Sequence, residues 1–406
     1  AKEHILADYL YNEVPYKGEL VGRNTYKNAV FNQPLFEFSG ACAGCGETPY
    51  IRFATQLFGE RMIIANATGC SSIYGASFPA SPYTKNEEGR GPAWANSLFE
   101  DNAEYGFGMK IAQDTIRDRM QTIISENQDA FSEDLKALLN EWIENRENGD
   151  KTLELSKKII PLLEKNDSEP AKQLFELKQH FVRQSQWIIG GDGWAYDIGY
   201  GGLDHVIANA EDVNILVLDT EVYSNTGGQS SKSARSGSIA KFTAAGKPGK
   251  KKDLAALAMT YENVYVAAIS HGANATQVLK AMKEAESYPG PSLIIAYSPC
   301  IAHGISGGLG NSHQQAKLAT ECGYWPTFRY DPRRIAEGKN PLQIDSKEPV
   351  WDKYHDFLLS ENRYQQLVKG NPEAAERLLH ANIVDAKRRW AMYKRMAAAD
   401  YSEVIE

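Results

Sequence analysis

The sequence predicts an α/β fold: a mainly parallel sheet with helices on both faces, plus a helical insertion and a C-terminal extension. Three observations point there. Apolar runs of strand length recur, at 62–67, 187–189, 215–218, 264–269 and 293–297. Helical stretches stand between several of them, as the crossovers of parallel strands require. Each run empties into a turn bearing Gly, Ser, Thr, Asp or Cys, and open α/β sheets bind ligands at the carboxyl ends of their strands.

The most informative turns follow the second and third runs. Trp187-Ile188-Ile189 leads into Gly190-Gly191-Asp192-Gly193, which reads as a buried strand, a tight turn and a helix. Ile215-Leu216-Val217-Leu218 ends at Asp219 and Thr220. Thr220 lies 28 residues after Asp192, room for one helix and one strand, so parallel strands deliver both to one sheet edge. Asp192 offers a hard carboxylate, Thr220 a hydroxyl and Val222 a backbone carbonyl. Such oxygens suit Mg²⁺, which takes a few protein ligands and completes its shell with phosphate and water. Gly191 and Gly193 let backbone N–H groups approach a pyrophosphate at a helix N-terminus. The arrangement resembles the thiamine-diphosphate motif, a Gly-Asp-Gly with an Asn further on; Asn225 lies 33 residues after Asp192. A lone Gly-Asp-Gly reads as an ordinary turn without a ligand. The block Thr220-Glu221-Val222-Tyr223-Ser224-Asn225-Thr226-Gly227-Gly228 tips the balance toward a cofactor.

A length of 406 residues accommodates one large α/β domain with appendages, or two domains, around a sizeable core. Hydrophobic residues make up 42% and charged residues 24%, ordinary for a soluble protein. A net charge of −8 argues against a nucleic-acid groove. No apolar stretch is long enough to span a bilayer, and the start, Ala1-Lys2-Glu3-His4, is too polar for a signal peptide. A first residue other than Met is compatible with trimming or with a piece of a longer polypeptide. Five cysteines, an odd number, argue against a secreted disulfide framework. A reducing, cytoplasmic compartment with thiols as metal ligands fits better.

Residues 1–35 read as an extended lead-in from an upstream domain, and 36–325 as the main domain. Near its start lies Cys42-Ala43-Gly44-Cys45-Gly46-Glu47, a Gly-rich loop ahead of a helix over 50–58. Three readings compete for Cys42 and Cys45. A redox dithiol sits at a helix start. A zinc site needs four compact ligands. An iron–sulfur cluster takes thiolates from distant loops. Cys70 and Cys300 both follow strands, so four cysteines can converge on one sheet edge. The bland alternative, four unrelated core thiols, fits a glycine-flanked loop poorly. Cys322 lies in a helical context and reads as a buried free thiol.

Residues 71–107, including Phe78-Pro79, read as a long loop that either lines an aromatic-walled pocket or packs on itself. Residues 108–186 read as a helical insertion with solvated charged faces. The basic run Lys247-Pro248-Gly249-Lys250-Lys251-Lys252 either meets an anion or forms a solvated turn before the helix at 253–260, and composition favours the turn. His271 either assists catalysis or is a hydrogen-bonded structural histidine, the commoner case. Residues 326–406 read as a C-terminal extension packed on the domain or on a neighbouring subunit.

Cys-x-x-Cys-Gly-Glu, two further cysteines at strand ends and the Gly-Asp-Gly…Asn block together resemble pyruvate:ferredoxin (flavodoxin) oxidoreductase. The chain looks like the C-terminal thiamine-diphosphate-binding domain of the single-chain form, most strongly over residues 20–330. The resemblance implies a thiamine-diphosphate-binding fold and a [4Fe–4S] cluster on Cys42, Cys45, Cys70 and Cys300. It implies Mg²⁺ on Asp192, Thr220 and the Val222 carbonyl. Gly191, Asp192, Gly193 and Trp194, with Thr220, Glu221, Val222, Tyr223, Ser224 and Asn225, would contact the diphosphate. Glu47 and the backbone around Cys70 would help seat the cofactor, and Asn225 would face the substrate as a catalytic residue. The implied reaction is oxidative decarboxylation of pyruvate with coenzyme A to acetyl-CoA and CO₂. Electrons pass from the thiamine adduct to the proximal cluster and on to ferredoxin or flavodoxin. In this family the carboxylate that activates thiamine comes from an N-terminal domain, and distal clusters from further segments. Neither is recognisable here, so this chain is expected to work with remaining domains in the same or separate chains, in a homodimer. Alternatives are another 2-oxoacid:ferredoxin oxidoreductase, a non-oxidative thiamine decarboxylase, or an electron-transfer module with an inactive thiamine fold.

Overall fold

The computed structural model describes residues 2–76 and 80–402, so Ala1 and the Phe78-Pro79 pair lie outside the described residues. Among the described residues eight strands form one sheet: β1 Met62–Ala67, β2 Ala93–Ser97, β3 Ser185–Gly191, β4 Asn214–Asp219, β5 Tyr265–Ile269, β6 Ser292–Tyr297, β7 Phe328–Tyr330 and β8 Leu342–Ile344. Their order is β2-β1-β3-β4-β6-β5-β7-β8. The first six are parallel, and β7 and β8 add antiparallel pairs beside β5.

All five apolar runs became strands. β3, β4, β5 and β6 are buried almost throughout because both sheet faces are covered, as parallel strands require. Side chains alternate between two cores. Ile188, Ile215, Val217, Leu293 and Ile295 pack on one face. Trp187, Ile189, Leu216, Leu218 and Ile294 pack on the other. The helix Thr48–Phe58, with Pro49 in its first turn, buries Ile51, Phe53, Ala54 and Leu57 in the second core.

Several expectations need revision. The lead-in is not extended; it holds the helices Lys2–Asn12, Gly18–Val21 and Tyr26–Ala29. Ile5, Leu6, Tyr9 and Leu10 of the first stay more than half exposed, so no buried stripe marked it in the sequence. The stretch 71–107 is not one loop. It contains the edge strand β2, whose Ala-Trp-Ala-Asn-Ser has no clean alternation because neither face is fully buried. The insertion begins earlier, with the 25-residue helix Asn102–Glu126, whose Asn102, Ala103 and Gly106 pack on the sheet while Met120 and Ile124 enter a separate helical core. Residues 326–406 are not merely appended, since they supply β7, β8 and the long helix Pro372–Ala397.

Candidate active site

β1, β3, β4 and β6 are neighbours and parallel, so their exits lie side by side. That topology places Cys70, Asp192, Thr220 and Cys300 along one edge, because each follows one of those strands closely. Asp192 follows β3 and is buried; its Oδ1 accepts from the Thr220 hydroxyl at 2.9 Å. The same hydroxyl lies 3.0 Å from the Val222 carbonyl oxygen. Ser231 donates to Asp192 Oδ2 at 2.5 Å. Burial and the nearby Asp219 carboxylate push the Asp192 pKa well above the ordinary carboxyl range. A carboxylate, a hydroxyl and a carbonyl thus crowd one buried point with a deficit of positive charge, which suits a hard divalent cation.

Two glycines set the approach. A Cβ at Gly193 would meet the Tyr223 ring at 2.4 Å, so only glycine fits there. At Gly191 the nearest atom to such a Cβ is Leu218 O at 3.9 Å. Protein packing leaves room at 191, and an approaching ligand would occupy it. The chain then enters a π-helical turn, Gly193–Ile198, a form of helix frequent at functional sites. A narrow open cleft over these glycines is walled by Glu47, Cys70, Phe99, Asp192, Val222, Tyr223, Ser224 and Asn225. Asn225 is exposed at its rim. Trp194 is not at the wall: its ring is buried under β3, against Gly190. Glu221 also stands behind the wall.

Glu221 is the centre of a buried charge network that the sequence did not announce. Its backbone φ is 58°, in the left-handed region. Its carboxylate accepts from Arg235 at 3.0 Å, Arg363 at 3.0 Å and Lys251 at 3.4 Å, and from the Tyr324 hydroxyl. Lys251 also donates to Asp219 at 2.6 Å, which accepts from Tyr196 and Ser233. The three cations hold Glu221 well below the usual carboxylate range despite its burial. This corrects the reading of 247–252 as a solvated turn, since Lys251 is only 7% exposed and reaches the floor of the site. Two carboxylates meet Lys251 and offset the cost of its desolvation. His303 was also missed; its Nε2 lies 2.6 Å from the Thr220 carbonyl and ties the β6 exit to the β4 exit.

The Cys-x-x-Cys loop reaches the same edge from before β1. Cys45 N donates to Cys42 O at 2.9 Å, and Gly46 N to Pro299 O at 3.1 Å. A Cβ at Gly46 would sit 2.5 Å from Pro299 N, so this close approach depends on glycine. The loop is thereby fastened beside Cys300. Cys70 Sγ lies 3.1 Å from Ser224 Oγ. Cys70 interacts electrostatically with Cys300 and Cys42, and Cys45 with Cys70. Cys322 lies apart, buried at a helix end. Burial, and then Glu47, push the Cys45 and Cys70 thiols up to about 12; burial does the same to Cys300. Thiolates form here only against strong positive charge. Among the described residues no three His, Cys, Asp or Glu side chains stand close enough for a single metal ion. Glu47 is buried, accepts from Tyr74 at 2.9 Å and is pushed up to about 7 by burial. His271 is not in this cleft. It accepts or donates at 2.7 Å with Tyr26 and packs against His313, a structural setting.

Residues 176–296 match the family described as thiamine pyrophosphate enzyme, C-terminal TPP binding domain. The chain is 53% identical over 384 residues to pyruvate-flavodoxin oxidoreductase of Klebsiella pneumoniae, covering 93% of this chain and 32% of that protein. It is 53% identical over 381 residues to pyruvate:ferredoxin oxidoreductase of Moorella thermoacetica, covering 92% and 32%. It is 50% identical over 388 residues to the mitochondrial NADP(+) pyruvate dehydrogenase of Euglena gracilis, covering 95% and 21%. A solved 2-oxoglutarate:ferredoxin oxidoreductase from Magnetococcus marinus aligns at a TM-score of 0.42 and 15% identity, over 79% of this chain and 86% of that one. The chain thus spans about a third of the length of its first two relatives. Residues 176–296 thus match a thiamine-pyrophosphate-enzyme domain, and over more than nine-tenths of its length the chain is similar to about a third of pyruvate:ferredoxin and pyruvate-flavodoxin oxidoreductases.

Proposed function

We propose that this chain is the thiamine-diphosphate-binding part of an enzyme that decarboxylates pyruvate oxidatively with coenzyme A. Electrons leave to ferredoxin or flavodoxin. The observation that carries the reading is the shared sheet edge, where Cys70 and the oxygen donors wall one cleft and the Cys42–Cys45 loop is fastened to the turn before Cys300. Asp192, Thr220 and the Val222 carbonyl would hold Mg²⁺, and Cys42, Cys45, Cys70 and Cys300 a [4Fe–4S] cluster. Bound thiamine diphosphate supplies a carbanion-forming centre and the cluster an electron acceptor. This chain's residues do the rest. The backbone over Gly191–Gly193 and Tyr223–Asn225 receives the diphosphate. Lys251, Arg235 and Arg363 offset Asp219 and Glu221 beneath it, so the carboxylate facing the cation is Asp192. Glu47, walled in beside Cys70, stands where a cofactor polar group would meet it. Asn225, exposed at the rim, is placed to contact substrate.

The remaining two-thirds of the relatives' length would supply further domains, from the same or separate chains, in a homodimer. The −8 net charge gives no footing for nucleic acid. Among the described residues no helix is long and apolar enough to cross a membrane. A cytoplasmic location accords with the free thiols. Another 2-oxoacid is the alternative substrate. The test is pyruvate- and coenzyme A-dependent reduction of ferredoxin or flavodoxin by the complete enzyme, with Asp192→Asn beside it. The reading expects activity that needs thiamine diphosphate and Mg²⁺ and collapses in the variant. Full activity in Asp192→Asn would remove the metal assignment.

A further inference from the structure

A second cleft, of about 680 Å³, opens between the 247–252 loop and the helix Pro372–Ala397. Its size falls in the range of small-molecule sites. Lys247, Lys250, Lys252, Arg388, Arg389 and Arg395 line it. Among the described residues none of these six takes part in an ion pair, in a chain whose net charge is −8. Three further cations of the wall, Arg235, Lys251 and Lys232, are already paired with Glu221, Asp219 and Asp197. The carboxylates on the wall are Asp253, held by the Tyr393 hydroxyl at 2.7 Å, and Asp385.

Three of the cations are built in rather than waving in solvent. Arg389 Nη2 donates to the Tyr324 carbonyl at 2.9 Å, but its buried Nε has no partner. Arg235 uses the same carbonyl, so two guanidiniums share one acceptor. Lys247 donates only to the carbonyls of Ser231 and Ala234. Lys252 donates to the Tyr196 carbonyl at 3.2 Å and lies over the Tyr200 ring. Burial, with a neighbouring lysine, pushes Lys247 and Lys252 down to about 8. Carbonyls and a ring orient a cation but do not neutralise it, and a buried cation without an anion is costly. Exposed Lys250, Arg388 and Arg395 ring the mouth of the cleft.

We propose that this cleft binds a small molecule carrying two or more phosphates, independently of the thiamine site. Arg389 and Lys247 form its floor, Lys252 its side, and Lys250, Arg388 and Arg395 its rim. Phosphate oxygens accept from guanidinium and ammonium donors and supply the missing negative charge. The donors converge from a loop and a helix, so the ligand also pins the 247–252 loop, whose Lys251 supports Asp219 and Glu221.

The experiment is calorimetric titration of the intact protein with ADP, with thiamine diphosphate and Mg²⁺ present to fill the other site. The double variant Lys250→Glu/Arg388→Glu reverses two exposed charges outside the buried network. The proposal expects saturable ADP binding that weakens about tenfold or more in that variant and persists in Asp192→Asn. A circular dichroism melt matched to wild type shows that the double variant folds. Absence of ADP binding, or binding unmoved by charge reversal, overturns it. Loss of ADP binding in Asp192→Asn assigns the signal to the thiamine site and overturns it too. A poly-glutamate peptide that binds more tightly than ADP through the same cations makes the cleft a protein-docking surface, against the proposal.

Discussion

Two donor sets share one sheet edge and are built in opposite ways. The oxygen set is closed on itself: Thr220 bridges Asp192 and Val222, and Ser231 caps the second oxygen of Asp192. Behind it the Lys251–Asp219–Glu221–Arg363 network is buried and ion-paired, with only the Nη1 of Arg363 left without a partner among its described side-chain atoms. The sulfur set is open. Cys42 is exposed, Cys45, Cys70 and Cys300 are partly buried, and the thiols make few contacts. Thiols hydrogen-bond weakly, so their loops are positioned by backbone bonds and by glycine at 46 instead. The difference teaches where stability and function couple. Oxygen donors and their supports hold the fold together as well as facing the cofactor, whereas the cysteines are nearly spare to the fold.

The sharpest break of that comparison is Cys70→Ser. Bound iron should fall from about four per chain to near zero, while urea stability, measured against cluster-free wild type, moves by less than about 1 kcal/mol. A large stability loss with iron retained would mean that the sulfur set is structural. Next in size is Lys251→Met, which leaves Asp219 and Glu221 short of a cation. It should cost about 3–5 kcal/mol in urea unfolding. A loss under about 1 kcal/mol would show that Arg235, Arg363 and the hydroxyls suffice.

Away from the edge, burial lowers His271 to about 4 from its ordinary 6.5, with His313 adding to the effect. The folded state therefore resists a proton that the unfolded chain accepts. Its stability contribution is complete above pH 6.5 and is lost as pH falls toward 4, by up to about 3 kcal/mol. His271→Gln should flatten that part of the stability–pH curve, and an unchanged slope would assign the acid sensitivity elsewhere. The smallest effect belongs to Cys322→Ala, a buried thiol apart from the others. It should cost about 1 kcal/mol of stability and leave iron content untouched. Iron loss in this variant would place a fifth cysteine in the cluster's surroundings.

Reading the chain recovered what local pattern encodes. Apolar runs ending in polar turns marked β1, β3, β4, β5 and β6, and parallel pairing carried Asp192, Thr220, Cys70 and Cys300 to one edge. Three things were hidden for physical reasons. β2 and the short strands β7 and β8 lie toward the sheet's edges and lack a long buried run. Glu221, Arg235, Lys251 and Arg363 are charged residues spread over 142 positions, and only tertiary folding shows that they neutralise one another. Lys247–Lys252 looked solvated because a charge run usually is; here two carboxylates at the β4 exit draw Lys251 inward.

The central claim is that thiolates and oxygen donors serve one centre. Its most direct test is iron and acid-labile sulfide content, with EPR after dithionite, on protein prepared without oxygen. The account predicts about four irons per chain and the signal of a reduced cluster, lost in Cys70→Ser. A folded protein that binds thiamine diphosphate but holds no iron would contradict it and leave a non-oxidative thiamine site.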